Sequence, residues 1–408
     1  MGKCKIVNRI KEMDRCKCRK ILENLVLITF AIMITELFLK KTEFSINWPT
    51  DYHVIMRYVT IAIIALKLHF DEETRKIELV LLFAFVIIFQ VSARISGYDE
   101  LIDVLIFLVG LKGIDLTKVI KVFFSTIGIL LLITIIASQT GIIENLIYTW
   151  PADRRARMSF GIIYPTDFAA FFFFLSLAWI YIRKTSLMYI ELIIIAASGV
   201  FVYYFCDARL SAGCIEITAI IFFFVKLRER YVAIYNKNDV IPKGVMLACV
   251  LIPIVCAVFI IFASYFYSGD IPILAKINSI LSGRLNYGKM AFDNYNVTCW
   301  GQYVDLTGNG GTTLYYLKES NWFIDASYLN ILFRFGIFVF FSFLIMMCGS
   351  LYKAEKMKDY YLTIIFVILS VQFMIEHHAI ELWYNPFLFA LFANLQRPVM
   401  KLQKGIVQ

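Results

Sequence analysis

Apolar residues arrive in blocks of about 18–22, separated by short stretches that carry most of the charge, and a helix of that length crosses a hydrocarbon layer. The blocks lie near 21–39, 53–70, 77–93, 100–112, 119–138, 162–182, 187–206, 210–226, 244–266, 325–350, 361–377 and 385–396. A membrane barrel would instead alternate apolar and polar positions over about ten residues. The pattern predicts an all-α polytopic membrane protein of about 12 transmembrane helices, with one long extracytoplasmic loop between spans 9 and 10. The fourth and twelfth blocks are short, so ten or eleven spans stay open as a count.

Charge orients this pattern. The first twenty residues hold Lys3, Lys5, Arg9, Lys11, Arg15, Lys17, Arg19 and Lys20 against Glu12 and Asp14. Basic residues stay on the cytoplasmic side, and the apolar run that follows has no small-residue cleavage site, so it reads as a retained first span. With that end inside, 71–76, 113–121, 183–184, 226–243, 352–360 and the tail from Gln396 become inner segments, and they collect most of the remaining Lys and Arg. The expected organisation is a basic cytoplasmic N-terminus (1–20), spans one to nine (21–266), an extracytoplasmic loop (267–324), spans ten to twelve (325–396) and a cytoplasmic tail (397–408). This organisation predicts a multi-pass membrane protein with both termini cytoplasmic.

Composition excludes a soluble fold. Hydrophobic residues make up 60% and charged residues 17% of the 408, with mean hydropathy +0.73, whereas soluble domains carry roughly 45–50% apolar and about 25% charged residues. The net charge of +9 follows the membrane pattern and does not point to nucleic acid. The nine cysteines form no C-x-x-C pair and give neither a zinc site nor a disulfide framework. Only Cys206 and Cys299 fall on the outer side. The four histidines lack metal-ligand spacing, apart from the adjacent His377 and His378. No metal or cofactor is expected.

Two features mark the outer side. The 267–324 loop combines a Gly-rich stretch (306–312) with Tyr267, Tyr287, Tyr295, Trp300, Tyr303, Tyr315, Tyr316 and Trp322. Loops of this length are functional or disordered, and aromatic rings stack on sugars, although an interfacial belt uses the same residues. The second feature is arginine where the positive-inside rule disfavours it: Arg154, Arg155, Arg157, Arg209, Arg284 and Arg334. A guanidinium deep in a bilayer costs about 2.5–3.5 kcal/mol on insertion scales. Its planar fork suits phosphate; snorkelling to lipid headgroups is the alternative use.

Several of these residues stand in motifs. Arg157 and Gly161 are followed by Tyr164, Pro165, Thr166 and Asp167 and a Phe-rich span; Asp207, Ala208 and Arg209 lie between two spans; Ser282, Gly283 and Arg284 open the long loop; Asp325, Tyr328, Arg334 and Gly336 close it. In this order the motifs resemble the Wzy-type O-antigen and capsular polysaccharide polymerases, from about residue 100 to the C-terminus. Thr166 stands where that family usually has Asn, and Ala208 where it usually has Ser. The family's mid-loop Phe-Gly-x-Gly is reduced here to Trp300-Gly301 and Asn309–Gly311.

The resemblance implies transfer of a growing glycan from undecaprenyl pyrophosphate onto a lipid-linked repeat unit, without a metal ion. Arg157, Arg209 and Arg284 would bind the pyrophosphate, and Asp325, Glu376 and His377 are the candidates for the catalytic base, Asp325 first. Tyr164, Trp300 and Tyr328 would contact substrate. An Asp at the head of a span is also an ordinary helix cap, and Glu376 with His377 is also an ordinary interfacial pair. The implied partners are the lipid-linked substrate, the membrane, a flippase and a chain-length regulator. An O-antigen-ligase-like transferase and a lipid-linked-oligosaccharide flippase are the competing readings; the second should show matching halves, which this chain lacks.

Overall fold

The computed structural model describes residues 2–44, 50–70, 76–149, 155–235, 240–306 and 322–396, with side chains described from Lys17 onward. The fold is almost wholly helical: α1 (Gly2–Leu39), α2 (Thr50–Phe70), α3 (Lys76–Ser96), α4 (Glu100–Gly110), α5 (Leu116–Gln139), α6 (Pro165–Arg183), α7 (Tyr189–Cys206) and α8 (Arg209–Ile234) come first. After them run α9 (Lys243–Cys249), α10 (Ile252–Tyr265), α11 (Pro272–Ile280), α12 (Arg284–Asn294), α13 (Ser327–Lys356) and α14 (Tyr360–Gln372). A two-residue hairpin, β1 (Ile147–Tyr148) with β2 (Arg157–Met158), precedes α6. Among the described residues nine helices are long and apolar enough to cross a membrane, counting α9 and α10 as one, Lys243–Tyr265. The chain is a polytopic helical membrane protein.

Burial separates centre from periphery. In α6 and α13, 67% of a membrane-length window is buried inside the protein, against 17% for Tyr52–Phe70. The Phe run explains the central place of α6: Phe168, Phe171, Phe173, Phe174 and Leu177 all lose their solvent contact, which makes the helix apolar on every side and fit only for an interior. Outer helices keep Ile, Val and Phe exposed, as on α2 and α10, where lipid covers them.

The two ends of the bundle differ. At one end Lys184 pairs with buried Asp359 (2.7 Å), Lys226 with Glu229 (2.7 Å), and Tyr360 and Tyr361 donate to Glu229 at 2.6 and 2.7 Å. These contacts lock α6, α8 and α14 together on what is termed here the lysine face. The other end, the arginine face, carries Arg155, Arg157, Arg209 and Arg284. There a second network fastens α1, α2 and α4: His53 bridges Glu36 (2.9 Å) and Asp103 (3.2 Å), and Arg57 grips Asp103 at 2.6 and 3.0 Å.

Three expected spans take a different form. The fourth is only α4, 11 residues and so about 16 Å long; it ends in a turn whose Asp115 accepts from Gln396, the residue whose carbonyl accepts from Lys184. The tenth breaks at Gly336 (φ 86°, ψ 175°). Its first limb lies across the arginine face, since Ser327 meets Glu376 beyond α14 and Arg334 meets Glu100 beyond α3. The twelfth, 385–396, is not an α-helix. From Phe373 the chain runs through the protein interior as irregular backbone with two 3₁₀ turns, His378–Ile380 and Pro386–Phe389.

That irregular crossing obeys the rule that non-helical backbone at membrane depth must be enclosed by protein. Lys353 Nζ donates to the carbonyls of Leu391 (2.8 Å) and Ala393 (2.5 Å), Asn385 Nδ2 to Ala379 (2.7 Å), and Leu116 N to Asn394 (2.9 Å). Asn394 therefore reaches the turn between α4 and α5, while Glu376 stays at the arginine face.

Candidate functional site

The hairpin before α6 places Arg157. Ser159 and Phe160 are tied back to Leu146 and Asn145 (3.0 and 2.9 Å), and Gly161 takes φ +83° where an added Cβ would meet Ile143 at 2.7 Å. Only glycine fits there. Arg157, buried, donates from Nε to the Cys206 carbonyl (3.1 Å) and from a terminal nitrogen to the Tyr164 hydroxyl (3.3 Å).

The α7–α8 turn receives it. Asp207 adopts a left-handed conformation (φ 47°) with its side chain buried, and one oxygen accepts from both Arg209 Nε (3.1 Å) and Arg155 (3.4 Å). Arg155 also lies over the Tyr203 and Tyr204 rings at 4.9 and 5.6 Å. Three guanidiniums thus gather at the Cys206–Arg209 turn, two on the Asp207 carboxylate and one on the Cys206 carbonyl. Arg155 and Arg209 keep about half of their side chains exposed, at 45% and 56%. Arg154 lies outside the described residues.

Arg284 begins α12 after Ser282 and Gly283, both left-handed. It stands between Asp325 and Glu376, 3.5 Å from each, and donates to the Ile375 carbonyl (3.1 Å) and the Ser282 carbonyl (3.2 Å). Tyr164, which accepts from Arg157, also lies within electrostatic reach of Arg284. Burial works against the Arg284 charge, but Asp325 and Glu376 hold the guanidinium above its ordinary range. Burial pushes the Asp325 carboxyl up, opposed by Arg284 and His378. Burial likewise lifts Glu376, to about 7, with Arg284 opposing and Asp325 reinforcing.

Two histidines continue the site. His378 Nδ1 pairs with Glu381 Oε2 at 2.8 Å and its Nε2 faces Asp167 Oδ1 at 4.0 Å. His377 Nε2 is 3.7 Å from Glu381 Oε1, and its ring meets Phe323 edge-on at 4.7 Å. Asp167, His377 and His378 each bring a ligating atom to within 4.8 Å of the others, and so do Asp325, Glu376 and His377.

Of the residues singled out by sequence, the structure brings together Arg157, Tyr164, Arg284, Asp325, Glu376 and His377, with Arg209 at the adjoining turn. Two lie elsewhere. Tyr328 is fully buried and donates to the Ser370 carbonyl (3.2 Å), so it is a packing residue. Trp300 packs on Phe338 at 4.5 Å beside the α13 break. Arg334 is committed to Glu100 (2.7 Å) and to the Tyr98 ring, 4.0 Å below it. Other loop rings face one another, Tyr295 on Trp322 and Tyr303 on Tyr98; Tyr315, Tyr316 and most of the Gly-rich stretch fall outside the described residues. Asp207, His378 and Asp167 were not assigned from sequence, although the Asp207–Arg209 motif and the adjacent histidines were visible there.

The fold and this polar cluster define a helical membrane protein with a buried ionisable site at one face. No family model, no curated protein and no solved structure matches the chain.

Proposed function

We propose that the protein polymerises lipid-pyrophosphate-linked oligosaccharide repeat units at the outer face of a bacterial cytoplasmic membrane. The observation that carries this reading is the convergence of Arg155, Arg157 and Arg209 on the Asp207 turn, at the same face as Arg284, which stands 3.5 Å from Asp325 and from Glu376. Three guanidiniums to one carboxylate at the Asp207 turn, with a carboxylate pair on the same face, suit a reaction whose leaving group is a pyrophosphate and whose nucleophile is a hydroxyl. The arginines bind the donor's phosphates and stabilise the negative charge that develops on them. The acceptor hydroxyl oxygen attacks the anomeric carbon, the bond from that carbon to the pyrophosphate oxygen breaks, and the electron pair leaves with the lipid pyrophosphate. Asp325 takes the hydroxyl proton, and Arg284 fixes its position.

The outward orientation of the arginine face rests on the basic N-terminus and the lysines at the opposite end. The test is the glycan profile of a deletion strain complemented with wild type, Arg209→Ala or Asp325→Asn. Wild type restores the polymer ladder, while both variants reach normal protein level and leave single repeat units. Full-length polymer from Asp325→Asn removes it as the base. Polymer retained on the lipid carrier identifies a ligase, and lipid-linked units unflipped on the inner face identify a transporter.

A further inference from the structure

Beyond the arginine pocket, the geometry points to a divalent transition-metal site formed by Asp167, His377 and His378, with Glu381 as the carboxylate behind the histidines. Two segments far apart in sequence converge there: the first turn of α6, and the irregular chain past α14 that carries His377 into the 3₁₀ turn His378–Ile380.

His378 carries the argument. Its side chain is 1% exposed, and its Nδ1 is engaged by Glu381 at 2.8 Å. In the neutral ring that bond places the proton on Nδ1 and leaves the Nε2 lone pair pointing away from Glu381. Nε2 is buried without a hydrogen-bond partner, and Asp167 Oδ1 stands 4.0 Å from it. That gap is too long for a hydrogen bond, but two metal bonds of about 2.0–2.2 Å bridge it with little movement. His377 supplies a third donor inside the same 4.8 Å group, and its Nδ1 is likewise buried and unpartnered. A carboxylate–histidine–metal arrangement, with the outer carboxylate fixing tautomer and ring, is the usual support of such sites.

Charge balance agrees. Asp167, Asp325, Glu376 and Glu381 all lie within electrostatic reach of this group, whereas the cations that reach it among the described residues are Arg284, Lys41 and Arg334, the last paired with Glu100. The second group, Asp325 with Glu376 and His377, shares a histidine, but Arg284 already stands 3.5 Å from both of its carboxylates. The metal therefore belongs to the Asp167 side. Two imidazoles and a carboxylate select Zn²⁺ or another late first-row divalent ion over Mg²⁺.

The test uses resting full-length protein in detergent or nanodiscs, stripped with chelator and titrated with Co²⁺. No glycan substrate is present, so the outcome is independent of the polymerase reading. One Co²⁺ binds per chain with the visible absorption of a nitrogen-ligated ion, and Zn²⁺ displaces it. His378→Ala and Asp167→Asn each lose that spectrum, and Glu381→Gln keeps it with affinity about 10–100-fold weaker. Monodispersity on size exclusion confirms the fold of each, and Asp167→Asn serves if His378→Ala aggregates. Monodisperse wild type that retains no Co²⁺, or variants that bind it undiminished, would overturn the assignment.

Discussion

A guanidinium can hold several groups at fixed angles, and Arg284 uses this capacity fully. Its nitrogens address the Ile375 and Ser282 carbonyls and stand 3.5 Å from each of two carboxylates. An ammonium has the charge but a single nitrogen on a flexible stem, so it cannot keep these four relations at once. Arg284→Lys should therefore slow chain extension by purified protein about ten-fold or more, where ten-fold corresponds to roughly 1.4 kcal/mol. Lys289→Arg, at an exposed pair with Asp293 (3.1 Å), should leave the rate unchanged. An Arg284→Lys enzyme at the wild-type rate would show that only net charge matters there. Arginines at separate loops of the arginine face were legible in the sequence because their cost in a membrane made each one informative. The difference between Arg209, half exposed, and Arg334, committed to Glu100 and Tyr98, was not, since both look alike until the partners are placed. The placement of Tyr328 was hidden for the same reason: nothing in its neighbours along the chain reveals that its hydroxyl meets Ser370.

Long apolar helices were the most readable elements, because a run of that length has few other stable forms in a bilayer. The misreadings arose where hydropathy and backbone geometry part company. Residues 385–396 are apolar enough for a span, yet Pro386 and the backbone acceptors of Lys353 and Asn385 fit an enclosed irregular strand of chain. The α13 break was signalled only by Gly336. There the loop residues 298–302 dock into the gap, with Ile337 N donating to Thr298 O (3.0 Å) and Gln302 N to Arg334 O (3.1 Å). Gly301 and Gly336 both have positive φ (89° and 86°), and a Cβ on either would strike backbone atoms of the other segment. Backbone cannot rotate aside as a side chain can. Gly301→Ala should cost about 1–3 kcal/mol and visibly lower the thermal midpoint of the detergent-solubilised protein, while Gly128→Ala, on open space, should not. Equal midpoints would mean that the loop is not held against α13.

The whole molecule is polarised, with lysines fixing one end and arginines the other, and the proposed chemistry depends on which end faces outward. Two native cysteines can report this. Cys18 lies exposed near the basic end of α1, and Cys299 is exposed on the segment that docks at the α13 break, on the arginine face. Variants retaining only one of these cysteines, treated on intact cells with a membrane-impermeant maleimide, should label at Cys299 and not at Cys18 until the cells are permeabilised. The positive-inside rule argues for this result because the charged residues around Cys18 are the densest basic cluster in the chain. Labelling of Cys18 alone would turn the arginine face toward the cytoplasm. A lipid-linked repeat unit flipped to the outer leaflet would then be out of reach of Arg209, Arg284 and Asp325, and the polymerase reading would fall. The buried metal site would stand, because its geometry does not depend on which compartment the face meets.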